Sequence, residues 1–516
     1  PLHLKKKDKG LEDKKRNCFK TTCGNFLSLF LLLIFVNQTT AQRLPGTEAS
    51  TLAFTHVTVI DMTGTPPMSD MTVVVTGNRI SDVGQYGKVR IPNGAQIINA
   101  TGKFLIPGLW DMHFHIKETE RTFPLFIVNG VTGVRNMGGD FQKLFEWRDA
   151  VAAGRLLGPR IVACGPVVDG SHPSNPDHAI PVSTAEEGKQ AVDFLKRSGA
   201  DFVKVYDGIP RDAYFAIAEE SKKQGLPFVG HIPGAVTMAE ASSAGQKSVE
   251  HLGTFLEGSS TAEAELRNWQ SPPVKNGDFS VIPIRIAARG YRPLDTEVGY
   301  VGRDVESMVR DLSERQQAEK RLLALLAKNN TWQVPTLLAK HVNTFVDDIS
   351  KVHDSSYKYI PASIREGWSP DKNFFYRYRT PEFIAYQKRL FQKELETVGA
   401  MNRAGVPIMV GTDGGPYTVP GFGLHQELAL LVKAGLTPME ALRAATINPA
   451  KFLGESDTLG TVEQGKIANL ILLEKNPLED ITNSERIDGV VVNGMFFPKP
   501  VLRMMLANVE KIANPR

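Results

Sequence analysis

Only three of the 516 residues are cysteine: Cys18, Cys23 and Cys164. Two of them precede an apolar stretch near the N-terminus, so the body of the chain holds Cys164 alone. That excludes an internal disulfide framework. The surroundings of Cys164, RIVACGP, read as a buried strand end and an inert thiol rather than a nucleophile. Net charge is scarce too, at +4. Residues 1–23 carry eight Lys/Arg against three acids, a balance of +5, which leaves −1 for the rest. A near-neutral body gives no reason to expect a nucleic-acid partner. The apolar stretch FLSLFLLLIFV covers eleven residues, Phe26 to Val36. A comfortable membrane span needs about 20. With basic residues before it and small residues (Thr39, Ala41) after it, the stretch predicts a secretory signal cleaved near Ala41 and a secreted or periplasmic protein. An uncleaved membrane anchor over 26–36 is the alternative. No phosphate-binding Gly loop follows the first barrel-type strand, which counts against a doubly wound nucleotide-binding sheet.

What remains is ordinary globular composition, 42% hydrophobic and 22% charged. It is long enough for a large core and an accessory domain. Residues 50–100 and 458–498 show short alternating strands punctuated by Gly, Asn and Asp, which predicts one accessory β domain built from both ends of the chain. Between them, strand patterns at 104–115, 131–137, 160–165, 201–206, 227–232, 247–252, 331–337 and 407–413 alternate with helical ones. TAEEGKQAVDFLKRSG and RDAYFAIAEESKKQG, for example, both end at Gly. Eight βα alternations predict a closed parallel barrel. The expected partition is a leader or anchor at 1–42, accessory β parts at 43–104 and 456–516, and a barrel at 105–455. Two long insertions, 254–330 and 338–400, follow strand C-terminal ends and read as lid or pocket walls, or as plain packing.

Six potential metal ligands each end a short apolar run: His113 and His115 in GLWDMHFH, Lys204 in ADFVKVY, His231 in PFVGHIP, His251 in SVEHLG and Asp413 in PIMVGTD. Two histidines two apart on a strand share a face and can chelate one ion. Taken alone, they are equally one exposed and one core histidine. Lys204 shares a face with Phe202 and Tyr206. A buried bare ammonium is costly, and reaction with carbon dioxide would turn it into a carbamate able to bridge two cations. Its plainer account is a lysine reaching water at the rim. His231 and His251 fit a second ion, or are core histidines bonded to backbone. Asp413 can ligate an ion and accept a proton from water, or cap a helix. Together, in this order, the six describe a two-metal hydrolytic site. His172 and His178, in the loop after the third strand, either contact substrate or, more plainly, are exposed loop residues, and His425 reads as a helix-capping residue near the same face.

PGLWDMHFH, VTGVRNMG, VKVY, the GH and EH pairs, GTDGG, and LTPMEALRAATINPAKFLG followed by LGTVEQGKIANLILL together resemble the amidohydrolase superfamily. The likeness is to its imidazolonepropionase-like binuclear branch, with prolidase and N-acyl amino acid hydrolase relatives, and it spans nearly the whole chain after the leader. It implies an α/β fold, a (β/α)8 TIM barrel with a small accessory β-sandwich. It implies that His113, His115 and Asp413 hold one divalent ion, that His231 and His251 hold another, and that carboxylated Lys204 bridges them. Zinc is the default by ligand type. Asp413 takes the proton of a metal-bridging hydroxide and passes it to the leaving nitrogen. Single-metal deaminases of the superfamily carry a Glu three residues after the strand-five His; here that position is Gly234. The implied activity is hydrolysis of an amide-type C–N bond other than a peptide bond in a small molecule. The alternatives are Xaa-Pro or other dipeptide hydrolysis, lactone or ester hydrolysis, and a non-catalytic binding protein. Some dipeptidases of the branch carry Gly-Gly-His after strand three, where this chain has Cys164-Gly165-Pro166. A homo-oligomer is compatible with the resemblance.

Overall fold

The first strand of the barrel, Leu109–Phe114, is buried along its whole length, as is the second, Val131–Asn136. A parallel strand packed on both faces needs an unbroken apolar run rather than an alternating one. These two pair in parallel, and Val131–Asn136 pairs with Arg160–Ala163. The third strand meets the fourth, Val203–Val205, through Asp201, whose backbone N–H donates to Ala163 O at 2.9 Å. The ring continues through Phe228–Gly230, Ser248–Glu250 and Trp332–Val334, again in parallel. The eighth segment is short. It joins the seventh by a parallel bridge between Gln333 and Ile408. It closes on the first where Met112 N–H donates to Val410 O at 2.8 Å and Thr412 N–H to His113 O at 3.1 Å. The computed structural model describes residues 51–173, 175–259, 305–351, 354–372 and 381–515. The expected leader, the start of the accessory part at 43–50, and 260–304, 352–353 and 373–380 of the long connections lie outside the described residues.

The helices carry their start signals in the sequence. Thr184, Thr237 and Thr437 each accept from the N–H three residues on, and Glu187, Glu240 and Glu440 return the bond. Each Thr-x-x-Glu is a capping box, which satisfies N–H groups the helix itself cannot. The two helices expected to end at Gly do so, with Gly199 at φ 82 and Gly225 at φ 61. The described ends of both long connections are helices that lead into strands seven and eight, Val305–Lys328 and Pro381–Arg403. They bury Leu322, Leu326, Leu395 and Val398 in the barrel's outer core.

Both ends of the chain build one mixed eight-stranded sheet. Phe104–Pro107 pairs antiparallel with Leu470–Leu473, and Asn493-Gly494 turns the last hairpin with both residues at positive φ. Phe54 and Phe496 lie on strands four places apart in that sheet, about 19 Å if it were flat. Their rings are 5.5 Å apart. The sheet therefore curls over its own core of Phe54, Val73, Leu105, Leu470 and Val491, which makes the accessory sandwich out of a single branched sheet. The C-terminal helix Lys499–Ala513 packs instead on the first barrel helix, Thr122–Val128.

Strand eight can approach strand one only because residue 411 is glycine. A Cβ there would stand 2.6 Å from His113 Cβ and 2.9 Å from its backbone N. Gly411→Ala should therefore destabilise the fold by about 1–3 kcal/mol through overpacking. Urea unfolding of the variant against wild type measures it.

Candidate functional site

The barrel brings the six nominated residues to its C-terminal face. His113, His115 and Asp413 place one ligand atom each within 4.8 Å of one another. Asp413 Oδ1 lies 3.3 Å from His113 Nε2 and 3.5 Å from His115 Nε2. The His251 ring centroid is 4.6 Å from that of His113 and 4.9 Å from that of His231. Lys204 is buried on the fourth strand, and among the described residues nothing hydrogen-bonds its ammonium.

Each imidazole is gripped at Nδ1. His113 Nδ1 meets Glu250 Oε2 at 2.8 Å, His231 Nδ1 meets Asp207 Oδ1 at 3.0 Å, and His115 Nδ1 meets Gly138 O at 3.3 Å. His251 Nδ1 meets Thr336 Oγ1 at 2.7 Å, and that hydroxyl already donates to Pro335 O. Carboxylates and carbonyls can only accept, and a hydroxyl committed elsewhere accepts as well. All four histidines therefore carry a proton on Nδ1, and in the neutral ring that places the lone pair on Nε2. The Nε2 atoms of His113 and His231 are buried without a hydrogen-bond partner. Imidazole ligands held from behind by an acceptor are the usual arrangement around a bound cation. This donor set, with a carboxylate between two of the rings, fits a divalent ion.

Electrostatics keep the donors in their binding forms. Burial pushes His251 well below the usual imidazole value, against the pull of Asp413. Burial lowers His231 as well, reinforced by Lys204 and opposed by Asp207. The Lys204 ammonium is also made less basic by burial, with Glu250 and Asp413 opposing. Burial alone would raise the Glu250 carboxyl; Arg135 and His113 outweigh it and hold it low. Asp111 rises to about 6 through burial, tempered by Thr412. It ties strand one to strand eight by accepting from His113 N–H at 3.2 Å, Thr412 N–H at 3.1 Å and Thr412 Oγ1 at 2.6 Å.

A cavity of about 580 Å³ opens beside Asp413 and His115. Ile116, Leu144, Trp147 and Val167 give it an apolar side, and its polar lining mixes Lys117, Lys143, His178 and Tyr206 with Asp140, Asp169 and Asn175. His178, expected as an exposed loop residue, thus faces the cavity. His172 bonds its neighbour Ser171, at 2.9 Å. His425 is not at the site: it is buried in helix Phe422–Lys433, bonded to Ser484 Oγ at 2.9 Å and Asn129 O at 3.1 Å. Sequence reasoning missed Glu250, Arg135, Asp111, Asp207 and Thr336. The only local signal was a charged residue inside a buried strand, as in VTGVRN and SVEH.

A closed parallel barrel with imidazoles and a carboxylate converging on its C-terminal face is the architecture of a (β/α)8-barrel hydrolase. The model described as the Amidohydrolase family matches residues 104–496, and the chain belongs to that family. It is 24% identical to ochratoxinase of Aspergillus niger over 444 residues, covering 73% of this chain and 71% of that protein. It is 40% identical to imidazolonepropionase of Pseudomonas syringae pv. tomato over 83 residues, which is 16% of this chain and only 21% of that protein's length. Among solved structures, a bottromycin amidohydrolase superposes with TM-score 0.67 at 24% identity, covering 90% of this chain and 91% of that one. A Xaa-Pro dipeptidase gives TM-score 0.60 at 22% identity, covering 87% and 100%.

Cys164, at the end of strand three, is free and fully buried, and burial pushes its thiol up to about 12. At pH 8 the thiolate fraction is then on the order of one in ten thousand. Iodoacetamide should leave Cys164 unmodified in native protein at that pH and alkylate it in denaturant, read by peptide mass spectrometry.

Proposed function

We propose that this chain is a metal-dependent amidohydrolase that cleaves an amide-type C–N bond in a small molecule. The observation that carries the reading is the common grip at Nδ1, which turns four imidazoles into ligands aimed by their partners. In this reading His113, His115 and Asp413 would hold one divalent ion, His231 and His251 would hold a second, and Lys204, as a carbamate, would supply oxygen donors to both. The lowered basicity of Lys204 favours the neutral amine, which adds to carbon dioxide and releases one proton. Zinc suits nitrogen and oxygen donors, as do other first-row ions. The bound cations supply a Lewis acid for the substrate carbonyl and lower the pKa of water. Asp413 accepts the proton of the attacking water and passes it to the leaving nitrogen.

The cavity suits one small molecule. Lys117 has no ion-pair partner among the described residues, while Lys143 shares its charge with Asp140 at 3.4 Å. The cavity lining also carries Asp140 and Asp169, so Lys117, with His178 beside it in the lining, is the cation left to meet a substrate carboxylate such as that of an N-acyl amino acid. A dipeptide carries one too, and is the second reading on the same observation. Residues 1–42 act in this proposal as a cleaved export signal, so N-terminal sequencing of mature protein should begin near Gln42.

Lys204→Ala should abolish most activity in metal-replete protein assayed on N-acyl amino acids, dipeptides and lactones, and elemental analysis of wild type should return close to two ions per chain. Near wild-type turnover in the variant overturns the bridge. A firm value of one ion moves the protein to single-metal chemistry, and turnover of lactones alone removes the amide assignment.

A further inference from the structure

Behind His113 lies the one ion pair, among the described residues, whose two side chains are both wholly inaccessible: Arg135 and Glu250. The guanidinium spends its donors on two other strands, the first and the sixth. Arg135 Nε donates to Met112 O at 2.6 Å, Nη1 to Ser248 Oγ at 2.8 Å, and Nη2 to both Glu250 oxygens at 2.9 Å. Ser248 Oγ in turn donates to Glu250 Oε1 at 2.6 Å. The remaining acceptor position, on Oε2, takes His113 Nδ1. Phe452 and Phe202 cover the guanidinium at 5.0 and 5.7 Å. One planar cation therefore holds the main chain just before His113 and also the carboxylate that holds its ring.

A buried ion pair is a poor source of stability, because apolar side chains of the same volume usually do as well. What this pair supplies is geometry. We propose that Glu250, locked by Arg135 and Ser248, is a positioning residue that fixes His113 as the Nδ1–H tautomer and thereby sets the affinity of the His113/His115/Asp413 group for a divalent cation. The inference rests on the metal centre proposed above. A neutral amide at position 250 could accept from either Arg135 or His113, but its NH2 would oppose the other. The ring would then turn or change tautomer, and Nε2 would cease to be a lone pair aimed at Asp413.

The test uses the full chain, with Zn2+ alone as the probe. Zn2+ affinity is read by competition with a chromophoric chelator, and thermal unfolding is followed with and without the ion. Glu250→Gln should weaken the tighter Zn2+ site by roughly 10- to 100-fold and shrink the Zn2+-induced rise in Tm. Ser248→Ala removes one bond to the carboxylate and should give a smaller loss of the same kind; it decides the matter if Glu250→Gln fails to fold. Arg135→Lys keeps the charge but loses the fork, and should weaken Zn2+ binding as well. Glu394→Gln breaks the part-buried pair with Lys340, 2.6 Å long, which joins two helices. It should lower Tm with and without Zn2+ and leave affinity unchanged. If Glu250→Gln and Ser248→Ala bind Zn2+ as wild type does and lose only Tm, the positioning role is overturned while the metal centre stands. If wild type itself binds no Zn2+, both fall.

Discussion

A neutral imidazole has one lone pair, and in this barrel four of them are aimed by whatever grips the opposite nitrogen. The gripping atoms come from different places: a buried carboxylate on strand six, a carboxylate after strand four, a carbonyl after strand two and a threonine after strand seven. None of these partners is a donor in the cluster, yet they decide which way the cluster faces. The arrangement has a cost in the absence of ions. Two buried lone pairs, on His113 and His231, go without a proton to accept. Each such atom costs about 1–3 kcal/mol. Among the described residues, Thr72, Ser221 and Gln333 also bury a side-chain oxygen without a partner, but only the two imidazole nitrogens lie in the cluster with Asp413 and His251, where a cation can meet them.

The backbone points to the same place. Ten non-glycine residues among those described have positive φ, and His251, Leu252, Thr336, Asp413 and Tyr417 are half of them. All five sit just past the ends of strands six, seven and eight. For Thr336, which is β-branched, φ 48 is a rare conformation. Such residues persist only where the surroundings over-determine them. Glu427 helps to do so from helix Phe422–Lys433, accepting from the N–H of Leu337 at 2.9 Å and so pinning the turn that Thr336 opens. The strand ends are bent to bring side chains inward, and the packed helices behind them bear the strain.

What could be read in the amino-acid order divides along a physical line. That His113, His115, Lys204, His231, His251 and Asp413 share one end of the barrel was legible because each ends a short apolar run, and the helix starts were legible because Thr-x-x-Glu is a local pattern. Glu250 and Arg135 were not legible. Their meaning depends on partners 115 residues apart in the chain, chosen by strand register that no local periodicity encodes. Asp111 reads as one polar residue in GLWDMHFH until Thr412, 301 residues on, closes over it. His178 looked like an exposed loop residue because the loop's return to the cavity wall is a tertiary event. The histidine that seemed near the site, His425, shares its helix with Glu427 but turns to Ser484 and Asn129 instead. Sequence proximity to Asp413 said nothing about which face of that helix it occupied.

The accessory sheet fits into this account through strand one. Phe104–Pro107 belongs to the sheet, Leu109–Phe114 to the barrel, and only Gly108 separates them. Gly108 N–H donates to Asn469 O at 2.8 Å, and Leu470–Leu473 runs antiparallel along Phe104–Pro107. The beginning of strand one is thus clamped by the sheet that the two ends of the chain build together. Its far end is clamped by Asp111 and by the close approach of Gly411. His113 and His115 hang from a strand held at both ends. An antiparallel pair formed by residues more than 360 positions apart forms late compared with local βα units. His113 and His115 should therefore reach their final position only when the C-terminal segment has returned to the sheet.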